Sequence, residues 1–178
     1  MTTVATNRPD SAEYAPYYGT YIAVVPDGDV VATLRQDAEA LQSLLAEIPE
    51  SRAGFRYADG KWSVRDVVGH LIDAERIFAY RALRIARGDA TPLASFDEKE
   101  YARAAEADRR SLAELAAELR SVRDSTVALF ASLSEDAWAR RGTASGNPVS
   151  VRALAFIVAG HARHHMKILR ERYLAAAH

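Results

Sequence analysis

The sequence predicts an all-α protein, a four-helix bundle of antiparallel character. Three observations carry this. Four long stretches repeat apolar residues three and four apart, each stretch is bounded by capping or breaking residues, and no stretch alternates convincingly as a strand would. At 178 residues the chain suits one domain with a sizeable core and is too short for two comfortable ones.

Residues 1–28 are expected to form an extended arm packed on the domain, and residues 29–178 the bundle itself. The arm contains Tyr14, Tyr17, Tyr18 and Tyr21 with Pro16 and Gly19 among them, and it shows no helical period. Its tyrosines cover core or, in the sharper alternative, line a ligand site. Pro26-Asp27-Gly28 turns the chain into the first helix, about 29–48, with Leu34, Ala38, Leu41, Leu44, Leu45 and Ile48 on one face and Pro49 as its stop.

A loop with Phe55, Tyr57 and Trp62 leads to Ser63-Val64-Arg65-Asp66, which has the outline of a capping box. The second helix then runs from about 64 to 87, carrying Val67, Val68, Leu71, Phe78, Ala82 and Ile85, and Gly88 ends it. Residues 89–110 make a long connection with a short helical piece near Tyr101, and connections beyond about 12 residues are often functional. Ser111 and Glu114 cap a third helix to about 133 through Leu112, Leu115, Leu119, Val122, Val127, Leu129 and Phe130. A short turn around Trp138 and a loop over 140–148 deliver Ser150 as the cap of the fourth helix, about 151–174. Gly160 inside that helix costs about 1 kcal/mol against alanine, which close packing or room beside His161 would explain.

Lys and Arg number 23 against 24 Asp and Glu, a net charge of −1, so nothing in the balance points to nucleic acid or an anionic membrane. No run approaches the ~18 apolar residues of a membrane span, and Met1 to Asp10 lacks an apolar signal core. A cytoplasmic location is the expectation. With no cysteine there is no disulfide, no thiolate ligand and no cysteine nucleophile, so any thiol chemistry uses a thiol brought from outside.

Three of the five histidines lie in Gly160-His161-Ala162-Arg163-His164-His165. His161 and His165, four apart, share the apolar stripe of Leu154, Ala155, Val158, Ala162 and Leu169 and aim both imidazoles inward, while His164 is rotated roughly 100° away. A buried imidazole needs a hydrogen-bond partner or a metal ion to replace lost water. Inward ligands on facing helices are a common way to build a metal site in a bundle, and His70 on the second helix would complete a set of three. Three neutral imidazoles suit zinc or nickel, with iron and manganese as further choices. A hydrogen-bonded core pair is the plainer reading of the spacing. Ala162 stands where a zinc protease carries its glutamate, so that activity is not expected.

The run Lys61-Trp62-Ser63-Val64-Arg65-Asp66-Val67-Val68-Gly69-His70-Leu71-Ile72-Asp73-Ala74-Glu75-Arg76, followed by Gly160-His161-x-x-x-His165, resembles the DinB/YfiT-like superfamily. Glu13 to Gly28 and Phe78 to Arg84 resemble one branch of it. The resemblance implies up-down-down-up topology, a divalent metal on His70, His161 and His165, and often a homodimer. Characterised relatives include thiol-dependent S-transferases and isomerases, so it also implies an external low-molecular-weight thiol and a small electrophilic substrate. Asp66 and Asp73 flank His70 as candidates for orienting an imidazole, or as solvated helix charges. Tyr80, Arg84, Asp97 and Glu98 are candidates for the pocket rim. The competing reading is a non-catalytic, dimeric bundle in stress-related binding, with a structural metal or none.

Overall fold

The computed structural model describes residues 7–175; residues 1–6 and 176–178, at the ends of the expected arm and bundle, lie outside the described residues. Helices α1 (Gly19–Ile22), α2 (Val30–Ala46), α3 (Val64–Ala86), α4 (Glu98–Ala104), α5 (Leu112–Ala131), α6 (Glu135–Ala139) and α7 (Val151–Ile168) follow one another, with strands β1 (Arg141–Ala144) and β2 (Asn147–Ser150) between α6 and α7. Caps fix the long helices where the serines and aspartates stand. Asp29 accepts from Val31 and Ala32, Ser63 and Asp66 close a capping box, Ser111 and Glu114 close another, and Ser150 accepts from Ala153.

The four long helices form an up-down-down-up bundle. Its strongest contacts join α2 to α5 and α7, and α3 to the same two helices. Helices consecutive in sequence, α2 and α3, therefore face each other across the bundle instead of lying side by side as a hairpin. Two apolar clusters fill the interior. One runs through Leu34, Phe78, Phe130, Phe156 and Val158, the other through Leu41, Leu71, Leu115, Met166 and Tyr173. Along α7 the first ends at Ala159 and the second resumes at Ala162, so His161 occupies the junction.

Three expectations need correction. The loop expected over 140–148 is a β-hairpin, in which Arg141 pairs with Ser150 and Ala144 with Asn147. Its two turn residues, Ser145 and Gly146, have φ of 52° and 74°, the positive values that suit the twist of a two-residue hairpin. Four-residue strands are too short to display alternation. The segment expected as an extended arm is a string of short turns, 3₁₀ at Ser11–Glu13 and Pro16–Tyr18 and α-helical in α1, again too short for a readable period. Helix α7 ends as regular helix at Ile168 and widens into a π-helical turn, Leu169–Leu174.

Gly160 has its explanation in the same N-terminal segment. A Cβ built there would stand 2.0 Å from the carbonyl oxygen of Tyr21 and 2.4 Å from its carbonyl carbon. The backbones of α1 and α7 touch, and only glycine permits it. Tyr21, Ile22 and Val25 are buried as a result. Gly160→Ala is expected to displace α1 and to cost about 1–3 kcal/mol, the range for overpacking. Urea unfolding would measure the loss, and unchanged stability would contradict the contact.

Candidate metal centre

His70 comes from the middle of α3, His161 and His165 from adjacent turns of α7, and all three are buried at 4%, 4% and 8% exposure. One nitrogen from each lies within 4.8 Å of the others. The closest pair is His70 Nε2 and His161 Nε2 at 2.9 Å, an approach two lone pairs do not tolerate without a proton or a cation between them. His165 Nδ1 is buried with no hydrogen-bond partner among the described residues. A buried polar atom without a partner costs about 1–3 kcal/mol, and ligation removes that cost. The donor set therefore fits a divalent ion. His164 is exposed, as its position on the helix predicts.

Burial is the main force on these imidazoles. It lowers His70 to about 4 and His165 to about 3, with positive charge on the neighbouring histidines adding to the effect at His165. His161 is pushed well below its usual value by burial and then by His165, His70, His164 and Arg123. All three are neutral near pH 7, the form that binds metal. Aromatic rings enclose them. Trp62 lies 4.8 Å from His70, and Tyr21 and Phe78 approach His161 edge-on at 5.3 and 5.9 Å.

A cleft of about 530 Å³ opens beside His165, walled by Tyr57, Lys61, Trp62, Lys99 and Tyr173. Its walls are braced. Tyr173 Oη donates to the Trp62 carbonyl at 2.6 Å, and Tyr57 meets the Tyr173 ring at 90°. The π-helical turn carries Tyr173 into this position, and such turns recur at functional sites.

The structure separates the other candidates from the histidines. Asp66 spends its carboxylate on the backbone of Ser63 and on Arg56, at 2.9 and 2.6 Å. Asp73 sits in a small hollow with Arg110 and Glu118, its pKa raised by burial. Neither has a hydrogen bond to an imidazole among the described residues, although both share the flank of His70 on α3, four residues before it and three after. Tyr80 and Arg84 stand about 15 and 21 Å further along α3, at ~1.5 Å per residue, and bond to each other away from the cleft. Asp97 caps α4 by accepting from Lys99 and Glu100. Glu98 is half-buried, raised by that burial and by Asp97, and its charge acts on Tyr18 and Tyr21. The neighbouring Lys99, not either acid, reaches the cleft wall.

Sequence reasoning missed one buried pair. Arg123 forms two 2.7 Å hydrogen bonds with the Glu75 carboxylate, both side chains almost fully buried. The signal was present: Leu119, Arg123, Thr126 and Phe130 continue the inward stripe of α5, as Leu71, Glu75 and Phe78 do in α3. Counting only apolar residues shifted attention to Val122 and Val127, which are half-buried.

The model of the DinB superfamily matches residues 33–169. The chain belongs to the DinB superfamily. Two curated DinB-like relatives, from Bacillus licheniformis and Geobacillus thermodenitrificans, are named as candidate metal-dependent hydrolases. The first is 36% identical over 40% of this chain and 41% of its own length, the second 33% identical over 46% and 45%. The chain thus matches less than half the length of each.

Among solved structures, YfiT from Bacillus subtilis, described as a probable metal-dependent hydrolase with an unusual four-helix-bundle topology, superposes with a TM-score of 0.75. That match covers 97% of this chain and 95% of YfiT at 17% identity. A mycothiol-dependent maleylpyruvate isomerase superposes with a TM-score of 0.66 at 15% identity, over 78% of this chain and 58% of the isomerase. At such identities the likeness establishes the DinB-like fold.

Proposed function

We propose that this DinB-superfamily chain is a divalent-metal enzyme of the thiol-dependent S-transferase type, with His70, His161 and His165 as the metal ligands. The observation that carries the metal is the convergence of three buried, neutral imidazoles, one with an unpartnered nitrogen, beside an open cleft. A bound divalent ion supplies Lewis acidity and lowers the pKa of a thiol or water that reaches it. The chain's own residues do the remainder. His70, His161 and His165 offer neutral nitrogens, Trp62 and Tyr21 cover the imidazoles, and the aromatic walls of the cleft orient a small molecule.

The chain has no cysteine, which fits a reaction whose nucleophilic sulfur comes from an external thiol. In S-transfer the thiol loses its proton to solvent, a sulfur–carbon bond forms, and the bond from that carbon to its leaving group breaks. Hydrolysis is the second reading, favoured by the names given to YfiT and the curated relatives. The same proposal takes the protein as a cytoplasmic homodimer acting on a small molecule, without nucleic acid. No helix among the described residues is long and apolar enough to cross a membrane.

Elemental analysis of tag-free protein, beside a His161→Ala, His165→Ala variant, tests the site. About one divalent ion per chain, lost in the variant, is the expected outcome. Absence of any ion, even after addition of zinc, nickel or manganese, would leave the non-catalytic bundle. For metal-loaded protein with glutathione or cysteine and monochlorobimane, a triad-dependent rise in conjugate and chloride supports S-transfer; a rate equal to the variant's sinks it.

A further inference from the structure

The chain carries 23 basic residues, and only Lys61, Lys99 and Lys167 among them are lysines. Two of the three line the cleft beside His165. Lys167 lies 3.8 Å from Glu171, whereas Lys61 and Lys99 have no carboxylate or hydrogen-bond partner for their ammonium groups among the described residues. The arginines nearby are engaged: Arg56 with Asp66 and Asp108, Arg103 with Glu100. Among the described residues no acidic side chain lines this cleft. Its lining combines the two lysine cations with three aromatic rings and with His165, whose buried Nδ1 has no hydrogen-bond partner among the described residues.

Free ammonium groups on flexible stems can close on an incoming acid group, while the paired arginines have lost that freedom. Tyr57, Trp62 and Tyr173 offer ring faces and edges to a flat or apolar body. Lys61 is held at the rim by its loop, since Arg56 donates to the Lys61 carbonyl at 2.9 Å, and Lys99 is held by the first turn of α4, where its backbone nitrogen bonds Asp97. The two lysines come from separate segments and meet on one cleft.

We infer that this cleft selects small anionic ligands, a carboxylate or similar acid seated between Lys61 and Lys99 and an apolar body against Tyr57, Trp62 and Tyr173. The inference rests on the cleft being the ligand site of the proposed enzyme, and it names the class of molecule: an organic acid, not a neutral or cationic one.

The test compares 3-phenylpropionate with 3-phenylpropionamide, equal in shape and different in charge, by calorimetry on the full chain. Both are measured on protein as purified and after chelator treatment, because a carboxylate also binds metal. The acid is expected to bind about tenfold more tightly than the amide in both preparations. Lys61→Gln, Lys99→Gln should erase that preference while leaving amide affinity and metal content unchanged. Both lysines are exposed, so the variant is expected to fold, and its unfolding temperature checks this. Equal affinities, binding of neither compound, or a preference that survives the double variant would overturn the inference. A preference confined to metal-containing protein would assign the acid to the ion and overturn it as well. A protein that holds no metal but keeps the lysine-dependent preference would refute the metalloenzyme reading and leave the anionic cleft standing.

Discussion

Chelator-treated protein is expected to lose folding stability between pH 7.5 and pH 5, roughly 2 kcal/mol for each of His70 and His165, with His161 acting in the same direction. The sign follows from the direction of the shifts. Burial holds His70 at about 4, His165 at about 3 and His161 well below its usual value. In the unfolded chain each titrates near 6.5. As pH falls below that value the unfolded chain gains protons that the folded chain refuses, so stability drops, and for His70 the drop ends near pH 4. Asp73 and Glu98, whose pKa values burial raises, act in the opposite direction and soften the slope.

A His165→Leu variant isolates the effect, since leucine fills a buried position without a proton site. Its stability should fall by about 2 kcal/mol less over the same range. Urea unfolding at a series of pH values measures both. Identical slopes for the two proteins would mean that folded His165 accepts a proton, and the reading of it as a neutral buried donor would fail. Added zinc should steepen the dependence in the wild type, because protons and metal compete for the same nitrogens.

Much of this was legible in the sequence because the relevant signals are local and repeated. Ser63, Ser111 and Ser150 mark helix starts, and the structure uses each as a cap. His161 and His165 betray their direction by sharing the stripe of Leu154 and Val158. His70 entered as the ligand that a facing helix would add, and the resemblance singled it out, since its place beside the apolar row of α3 does not by itself distinguish a ligand from a boundary residue. The rest depends on tertiary placement that no period encodes. Tyr57, Lys61 and Tyr173 come from a loop and a π-helical turn, and the last is aimed by a departure from the 3.6-residue repeat. Asp66 and Asp73 are suited by spacing to orient an imidazole, because four before and three after His70 they share its flank of α3. A shared flank does not decide which partner a carboxylate takes, and these two found Arg56 and the hollow near Glu118 instead.

Arg123→Met is expected to cost about 3–5 kcal/mol, although the side chain is exchanged for one of similar length and greater hydrophobicity. The reason is Glu75. Its carboxylate is 4% exposed and takes two hydrogen bonds from Arg123, so removing the guanidinium strands a charge in the core. Arg123 also reaches the Leu34 carbonyl at 3.4 Å, which lets one side chain join α5 to α3 and α2. Glu75→Leu alone should be comparably damaging, since it leaves the cation unpaired. The double replacement, Glu75→Leu with Arg123→Met, should recover most of the loss, because a buried pair exchanged for apolar side chains of similar volume is often neutral. A double-mutant cycle by chemical denaturation gives the coupling directly. Additive single effects would show that the pair acts as two separate packing residues. A double variant that is stable yet binds metal more weakly would assign the pair a part in setting α3 and α5 around His70 and His161, whereas unchanged affinity would confine it to the core.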